Sequence, residues 1–387
     1  MYDLEPHGNQ TRFEDAVIVY MQCSSHGNAR MNLDKRYHMA AAWRAQYLET
    51  KLPRFKECLL AFIWANTSSV LRQQSPMSRG TNQFYIPETI MPSQVINFGE
   101  EDLVNAAGGA GGTLGSAVGA SRPGGAEEKP RPMVDVIQGD MIATVWAAAK
   151  RGLRVLFLNM SNHSLAGGGV QRGACCQEEE LFRCTDIKLH TNTLGQWPLV
   201  SDDCAGVLSR GVRLIRTGEE FGYAFLPGSQ RPTFDVWSTT VPNLRQRKLK
   251  IAEAQVTQKR IDSIIKLGAK YELCILSAIG CGAFGHDPDS IADKFTTALM
   301  EHGGGGRFLF AIRPTPSDVA SGRKEAYTSF KVLETEKGSE PAVSPSGSGG
   351  DVDQTQTLTQ IILELPLHVD SSDLVILLEQ FSFGVNM

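Results

Sequence analysis

The chain of 387 residues lacks any apolar run near the ~18 residues that a membrane helix needs. Its longest are Cys58 to Trp64 and Leu374 to Leu378, so no membrane span and no membrane partner is expected. A signal peptide's basic start and apolar middle are also missing. The first twenty residues carry Asp3, Glu5, Glu14 and Asp15 instead, which points to a cytoplasmic or nuclear protein rather than a secreted one. Nor is there an excess of positive charge. With 38 basic and 42 acidic side chains, the net charge is −4. No broad field exists to hold a nucleic-acid backbone, and direct nucleic-acid binding is not expected. The eight cysteines (Cys23, Cys58, Cys175, Cys176, Cys184, Cys204, Cys274, Cys281) lack paired zinc spacing, and the chain is too long for a disulfide scaffold, which suits a reducing compartment. The eight histidines lack the i, i+4 pairing that brings two to one metal. Neither a structural metal nor a cofactor is expected.

What remains is an ordinary folding composition, 42% hydrophobic and 21% charged. Two stretches have nothing large to pack: 105–132, rich in Gly, Ala and Pro, and 337–353, rich in Ser, Gly and Pro. They divide the chain into an N-terminal accessory region (1–104), a body (133–336) and a C-terminal tail (354–387). The accessory region has one amphipathic helix, Tyr37 to Leu52, read as packing cover without chemistry of its own. From Gly338 onward there is no Lys or Arg, yet Ile361, Leu363, Leu365, Leu367 and Val369 alternate as a strand would. That tail is either an added strand and helix or a partner motif.

In the body, strand and helix patterns alternate. Strands are expected at Met133 to Ile137, Arg154 to Leu158, Gly222 to Leu226, Phe234 to Trp237, Leu273 to Ala278 and Phe308 to Ile312. Helices are expected at Met141 to Lys150, at Lys248 to Leu267 and after Asp287-Pro288. Such alternation argues for a largely parallel sheet covered on both faces, with its ligand site at the carboxyl ends of the strands.

Two strand ends carry unusual residues. After the strand that ends at Leu158 come Asn159, Ser161 and Asn162, then Gly167-Gly168-Gly169, and seven residues later Gln177-Glu178-Glu179. Singly, a glycine run reads as a loop and an acidic triplet as a solvated helix start. After the second strand comes GCGAFG, Gly280 to Gly285, then Asp287-Pro288. Backbone N–H groups in such a turn can cradle phosphate without basic side chains. The same glycines satisfy GxGxxG. A dinucleotide fold is disfavoured, because the motif comes late and the next strand brings no acid to a ribose. Cys175 and Cys176 read as small buried fillers, and LRQRKLK (Leu244 to Lys250) as a basic helix opening or a nuclear-import patch.

Together, GGG-x7-QEE and GCGAFG-x-DP resemble the poly(ADP-ribose) glycohydrolase family in its microbial type, a branch of the macrodomain fold. The segment DVWSTTVPNL, Asp235 to Leu244, is weakly similar as well. The resemblance implies a three-layer α/β/α macrodomain-like fold with a mixed, mostly parallel central sheet, flanked by N- and C-terminal extensions. It implies Glu179 as general acid and base, and Glu178 as the partner of hydroxyls on the ribose being cleaved. Gly167, Gly168 and Gly169, with Gln177, would form the ribose loop. Gly280, Cys281, Gly282, Ala283, Phe284 and Gly285 would hold the diphosphate, Phe284 packing on the distal ribose. Asn162 would contact a ribose and Asp140 the adenine. The chemistry agrees: splitting a ribose–ribose bond needs a proton on the leaving oxygen, and a carboxyl that keeps its proton near neutral pH can supply it, a state that desolvation or a neighbouring like charge favours. The implied partner is ADP-ribose or poly(ADP-ribose), on modified proteins among others, bound by a monomer. Two alternatives stay open: a non-catalytic reader of ADP-ribose, and a hydrolase of mono-ADP-ribose on protein or nucleic acid.

Overall fold

A computed structural model describes residues 53–72, 90–98, 130–226, 228–245, 247–313 and 325–334. All of them belong to one compact unit, 16–338; the second unit, 1–15 with 339–387, lies outside the described residues. So do the expected helix at 37–52, nearly all of 105–132, the stretch 337–353 and the tail.

Seven strands form one sheet: β1 (Gln94–Asn97), β2 (Met133–Gln138), β3 (Val155–Met160), β4 (Cys204–Arg213), β5 (Thr233–Thr239), β6 (Leu273–Leu276) and β7 (Arg307–Ile312). Their order is β1-β4-β5-β3-β6-β7-β2. The five strands from β5 to β2 run parallel, while β4 is antiparallel to both β5 and β1. The sheet is therefore mixed and mostly parallel. β3, apolar but for Asn159, and β6, apolar throughout, are buried at every position but the last of β3, as central strands covered on both faces must be. β2 lies at an edge and alternates buried with exposed positions.

Among the described residues, seven α-helices flank the sheet: α1 (Pro53–Arg72), α2 (Met141–Lys150), α3 (Gln177–Cys184), α4 (Ile187–Thr191), α5 (Ile251–Gly268), α6 (Pro288–His302) and α7 (Ala326–Phe330). Their starts follow local chemistry. Asp140 caps α2 by accepting from the Ala143 N–H at 2.8 Å, and Asp287 caps α6 ahead of Pro288. Phe295 of α6 meets Phe310 of β7 edge-on at 5.1 Å, and Phe330 of α7 closes the cluster.

The fold departs from the sequence reading in four places. Gly222 to Leu226 is no strand. Tyr223 takes a left-handed φ of 56°, the chain doubles back, and one isolated bridge, Arg216 to Phe225, is all that pairs there. β4 was not foreseen, because Gly206, Arg210 and Gly211 interrupt its apolar pattern and the strand is bulged between Ser209 and Val212. The apolar run Cys58 to Trp64 lies inside α1, and β1 hydrogen-bonds to β4, so part of the region read as accessory belongs to the sheet body. Finally, the basic run before α5 is a loop: the helix opens at Ile251, and the Glu253 carboxylate pairs with Arg247 and accepts from the Lys250 N–H.

Candidate active site

Both glycine loops leave the carboxyl ends of neighbouring parallel strands. β3 and β6 are in register from Val155 opposite Leu273 to Phe157 opposite Ile275, so the chains leaving them emerge side by side. The loop after β5 joins them, its Leu244 N–H donating to the Phe284 carbonyl at 2.7 Å.

Gln177 decides where the acids stand. Its Nε2 donates to the Leu158 carbonyl and its Oε1 accepts from the Met160 N–H, both at 2.9 Å, so the first residue of α3 is pinned to the end of β3. Both ends of the amide are thereby engaged. The Glu178 carboxylate then ties the loop together: Oε1 accepts from Ser161 Oγ at 2.6 Å and Gly167 N–H at 3.0 Å, and Oε2 from Asn162 N–H at 2.7 Å. Glu178 is only 3% exposed. Burial pushes its pKa up to about 7 despite the opposing pull of those three donors.

Glu179 differs. Its Oε1 accepts from the Gly169 N–H at 2.8 Å, while its Oε2 is buried with no hydrogen-bond partner among the described residues. A buried carboxyl oxygen left unpaired is costly for stability and suited to a reacting group. Glu180, the third acid, is also buried, accepting from Tyr223 Oη at 2.6 Å, Glu219 N–H at 2.9 Å and Arg183 Nη2 at 3.3 Å. The acidic triplet is thus not the solvated helix start that acidic triplets usually are.

The second loop offers donors. Cys281, Gly285 and His286 use their N–H groups within the turn. Those of Gly282, Ala283 and Phe284 have no partner among the described residues. Three successive free amides after a strand form a nest for an anion.

The remaining candidates are held by the chain itself. Asn162 Oδ1 accepts from the Ser164 and Leu165 N–H groups, and its carbonyl accepts from Trp197 Nε1. Asp140 Oδ2 pairs with Arg313, which also reaches Glu219 at 3.2 Å. Burial raises the Asp140 carboxyl above its ordinary range, with Arg313 opposing. Since the Glu219 N–H also serves Glu180, a chain of contacts joins Asp140 to the acidic helix. Cys175 and Cys176 are exposed, not buried fillers, because they sit in the turn before α3 and not under it. No His, Cys, Asp or Glu cluster among the described residues could hold a metal ion.

Sequence reasoning noted Ser161 only as part of a polar loop and passed over Glu180, Tyr223 and Arg313. Only Glu180 carried a signal, its place in the triplet.

A mixed sheet with glycine loops at the ends of two adjacent parallel strands, and buried acids against the first of them, defines a macrodomain-like α/β protein. Residues 71–196 match the family model of the microbial-type PARG catalytic domain. Among solved structures, the chain is similar to the poly(ADP-ribose) glycohydrolase of Thermomonospora curvata. The match to the form bound to the inhibitor ADP-HPD has 20% identity and a TM-score of 0.51, covering 71% of this chain and 98% of that one. A second structure of the same enzyme gives 20% identity and a TM-score of 0.52 over 70% and 98%. These likenesses establish the fold. Comparison with curated proteins finds no match.

Proposed function

We propose that the protein is a glycohydrolase that cleaves the ribose–ribose O-glycosidic bonds of poly(ADP-ribose) and releases ADP-ribose. The observation that carries this reading is the Glu179 carboxyl, one oxygen fixed by the Gly169 amide and the other buried and unpartnered. Glu179 donates a proton to the departing 2′-oxygen as the C1–O bond breaks and positive charge develops on the ribose. Water then adds to C1 and returns a proton to Glu179, so one carboxyl serves both steps. The free amides of Gly282, Ala283 and Phe284 hold the diphosphate near that developing charge. Glu178 takes the hydroxyls of the reacting ribose with its remaining lone pairs, Asn162 and Phe284 line the riboses, and Asp140 reaches the adenine. Gln177 acts through α3, as a positioning residue. The substrate is ADP-ribose polymer on modified proteins, and the chain acts as a monomer in cytoplasm or nucleus.

The test incubates wild type and Glu179→Gln with labelled poly(ADP-ribose), measuring released ADP-ribose and, separately, ADP-ribose binding. Wild type should release ADP-ribose, and the variant should bind it while turnover falls by about 10²–10⁴-fold. Binding without turnover in the wild type would make the protein a reader. Retained turnover in the variant would remove Glu179 from its role.

A further inference from the structure

The arginines around the two loops are not equivalent. Arg183 is paired with Glu180, Arg247 with Glu253, and Arg313 with Asp140 and Glu219. Arg172 is exposed and has no ion pair among the described residues, yet it stands beside the acid. Its Nη2 lies 3.9 Å, and Glu179 Oε1 3.6 Å, from the point where a Cβ on Gly169 would sit.

Arg172 is presented from a rigid turn. Val170–Arg172 forms one turn of 3-10 helix closed by Arg172 N–H to Gly169 O and Gly173 N–H to Val170 O, and Val170 is buried. Behind it Gly173, at φ 77°, lies so close to α1 that a Cβ would fall 1.8 Å from the Glu57 carbonyl oxygen. Only glycine permits that approach. The turn is therefore wedged against α1, and the ordering cost of its backbone is met by folding rather than by substrate binding.

Substrate chemistry says what such a cation meets. In poly(ADP-ribose) the departing oxygen is the 2′-oxygen of the next unit's adenosine, and the same ribose carries that unit's diphosphate at its 5′ carbon. If Glu179 protonates the departing oxygen, that ribose docks over Glu179, and its diphosphate lies one sugar away. The released unit's own diphosphate is served by the amides of 282–284. Two diphosphates thus need two sites, and the second has no amide nest beside Glu179, where the Gly167, Gly168 and Gly169 N–H groups are all used within the protein.

We propose that Arg172 binds the diphosphate of the departing half of the substrate and so sets a preference for polymer over ADP-ribose carried on an uncharged group. This rests on the glycohydrolase reading above. The discriminating experiment compares kcat and KM of wild type, Arg172→Gln and Arg172→Lys on two substrates: poly(ADP-ribose), and an aryl glycoside of ADP-ribose whose phenol leaving group has no phosphate. The glutamine variant should lose about tenfold in kcat/KM on the polymer, mainly through KM, and stay within about twofold on the aryl substrate. Its polymer turnover should also become less sensitive to salt, and lysine should restore part of the loss. Equal losses on both substrates, or no loss on the polymer, would overturn the role of Arg172 while leaving the glycohydrolase reading intact. A wild type inactive on both substrates overturns that reading and this one with it.

Discussion

Gly168 lies face to face with Glu179: a Cβ added to the glycine would come within 2.5 Å of the Glu179 Oε1 and 3.1 Å of the Glu178 Oε2. Its φ of 48° is in the left-handed region as well. Gly168→Ala therefore has two separable consequences. Backbone strain lowers stability by about 1 kcal/mol, and the methyl group displaces the reacting carboxyl by roughly an ångström, which costs on the order of 100-fold in rate. Poly(ADP-ribose) turnover measured beside a thermal melt checks both. Activity within about threefold of wild type would show that the close approach does not matter.

The Gln177 amide bridges the Leu158 carbonyl and the Met160 N–H near the end of β3. Gln177→Met keeps the length and removes both hydrogen bonds. Stability should fall by about 1–3 kcal/mol as two backbone groups lose partners. Because the diphosphate nest is on the other loop, ADP-ribose affinity should change far less than kcat. Calorimetric titration against steady-state kinetics separates the two, and an equal loss in both would mean that Gln177 touches the ligand.

Glu178 gives the fold a pH dependence with a defined sign. Its carboxyl moves from an ordinary 4.5 to about 7 on folding, so between those values the folded state holds a proton that the unfolded chain has released. Stability from this group is full at low pH and declines as pH rises through the window, by about 3 kcal/mol in all. Glu178→Gln should abolish that slope. It also turns an amide NH2 toward one of the donors that now point at the carboxylate, so the variant should be less stable than wild type at pH 5 and closer to it at pH 8. Chemical denaturation of both proteins across this range reads the difference directly, and parallel curves would sink the argument.

How much of this could be read before the structure depends on where information is local. β3 as far as Leu158 and β6 throughout are apolar runs that lead into glycine-bearing loops, and the loops and acids attached to them were legible residue by residue. β4 was not, because its bulge and its glycines erase the alternation that marks a strand, and one of its two partners, β1, lies far away in sequence. The roles of the three glutamates were half legible. Their clustering is written in the triplet, but that Glu178 is a loop clamp, Glu179 the acid with one oxygen left unpartnered and Glu180 a partner of Tyr223 follows from side-chain direction at the start of α3. Arg172 gave no signal, since only folding brings it near Glu179.

The contribution of α1 is the part of the fold least visible in sequence and the easiest to test. Thr67 Oγ1 donates to the Arg183 carbonyl at 3.0 Å and accepts from Arg216 Nε at 2.8 Å, both in fully buried surroundings. Arg183 in turn holds the Ala174 carbonyl, in the turn just ahead of the acids, at 2.7 Å. Thr67→Val conserves shape, removes the hydroxyl and leaves a buried guanidinium donor and a buried carbonyl short of a partner, a loss of about 2–4 kcal/mol. If α1 were packing cover alone, the near-isosteric valine would be almost neutral. The expected outcome is a clear drop in the unfolding midpoint together with a severalfold fall in kcat at temperatures where the variant is still folded, because the strain reaches α3 through Arg183. A stability loss with kcat untouched would confine α1 to support of the fold and detach it from the placement of Glu179.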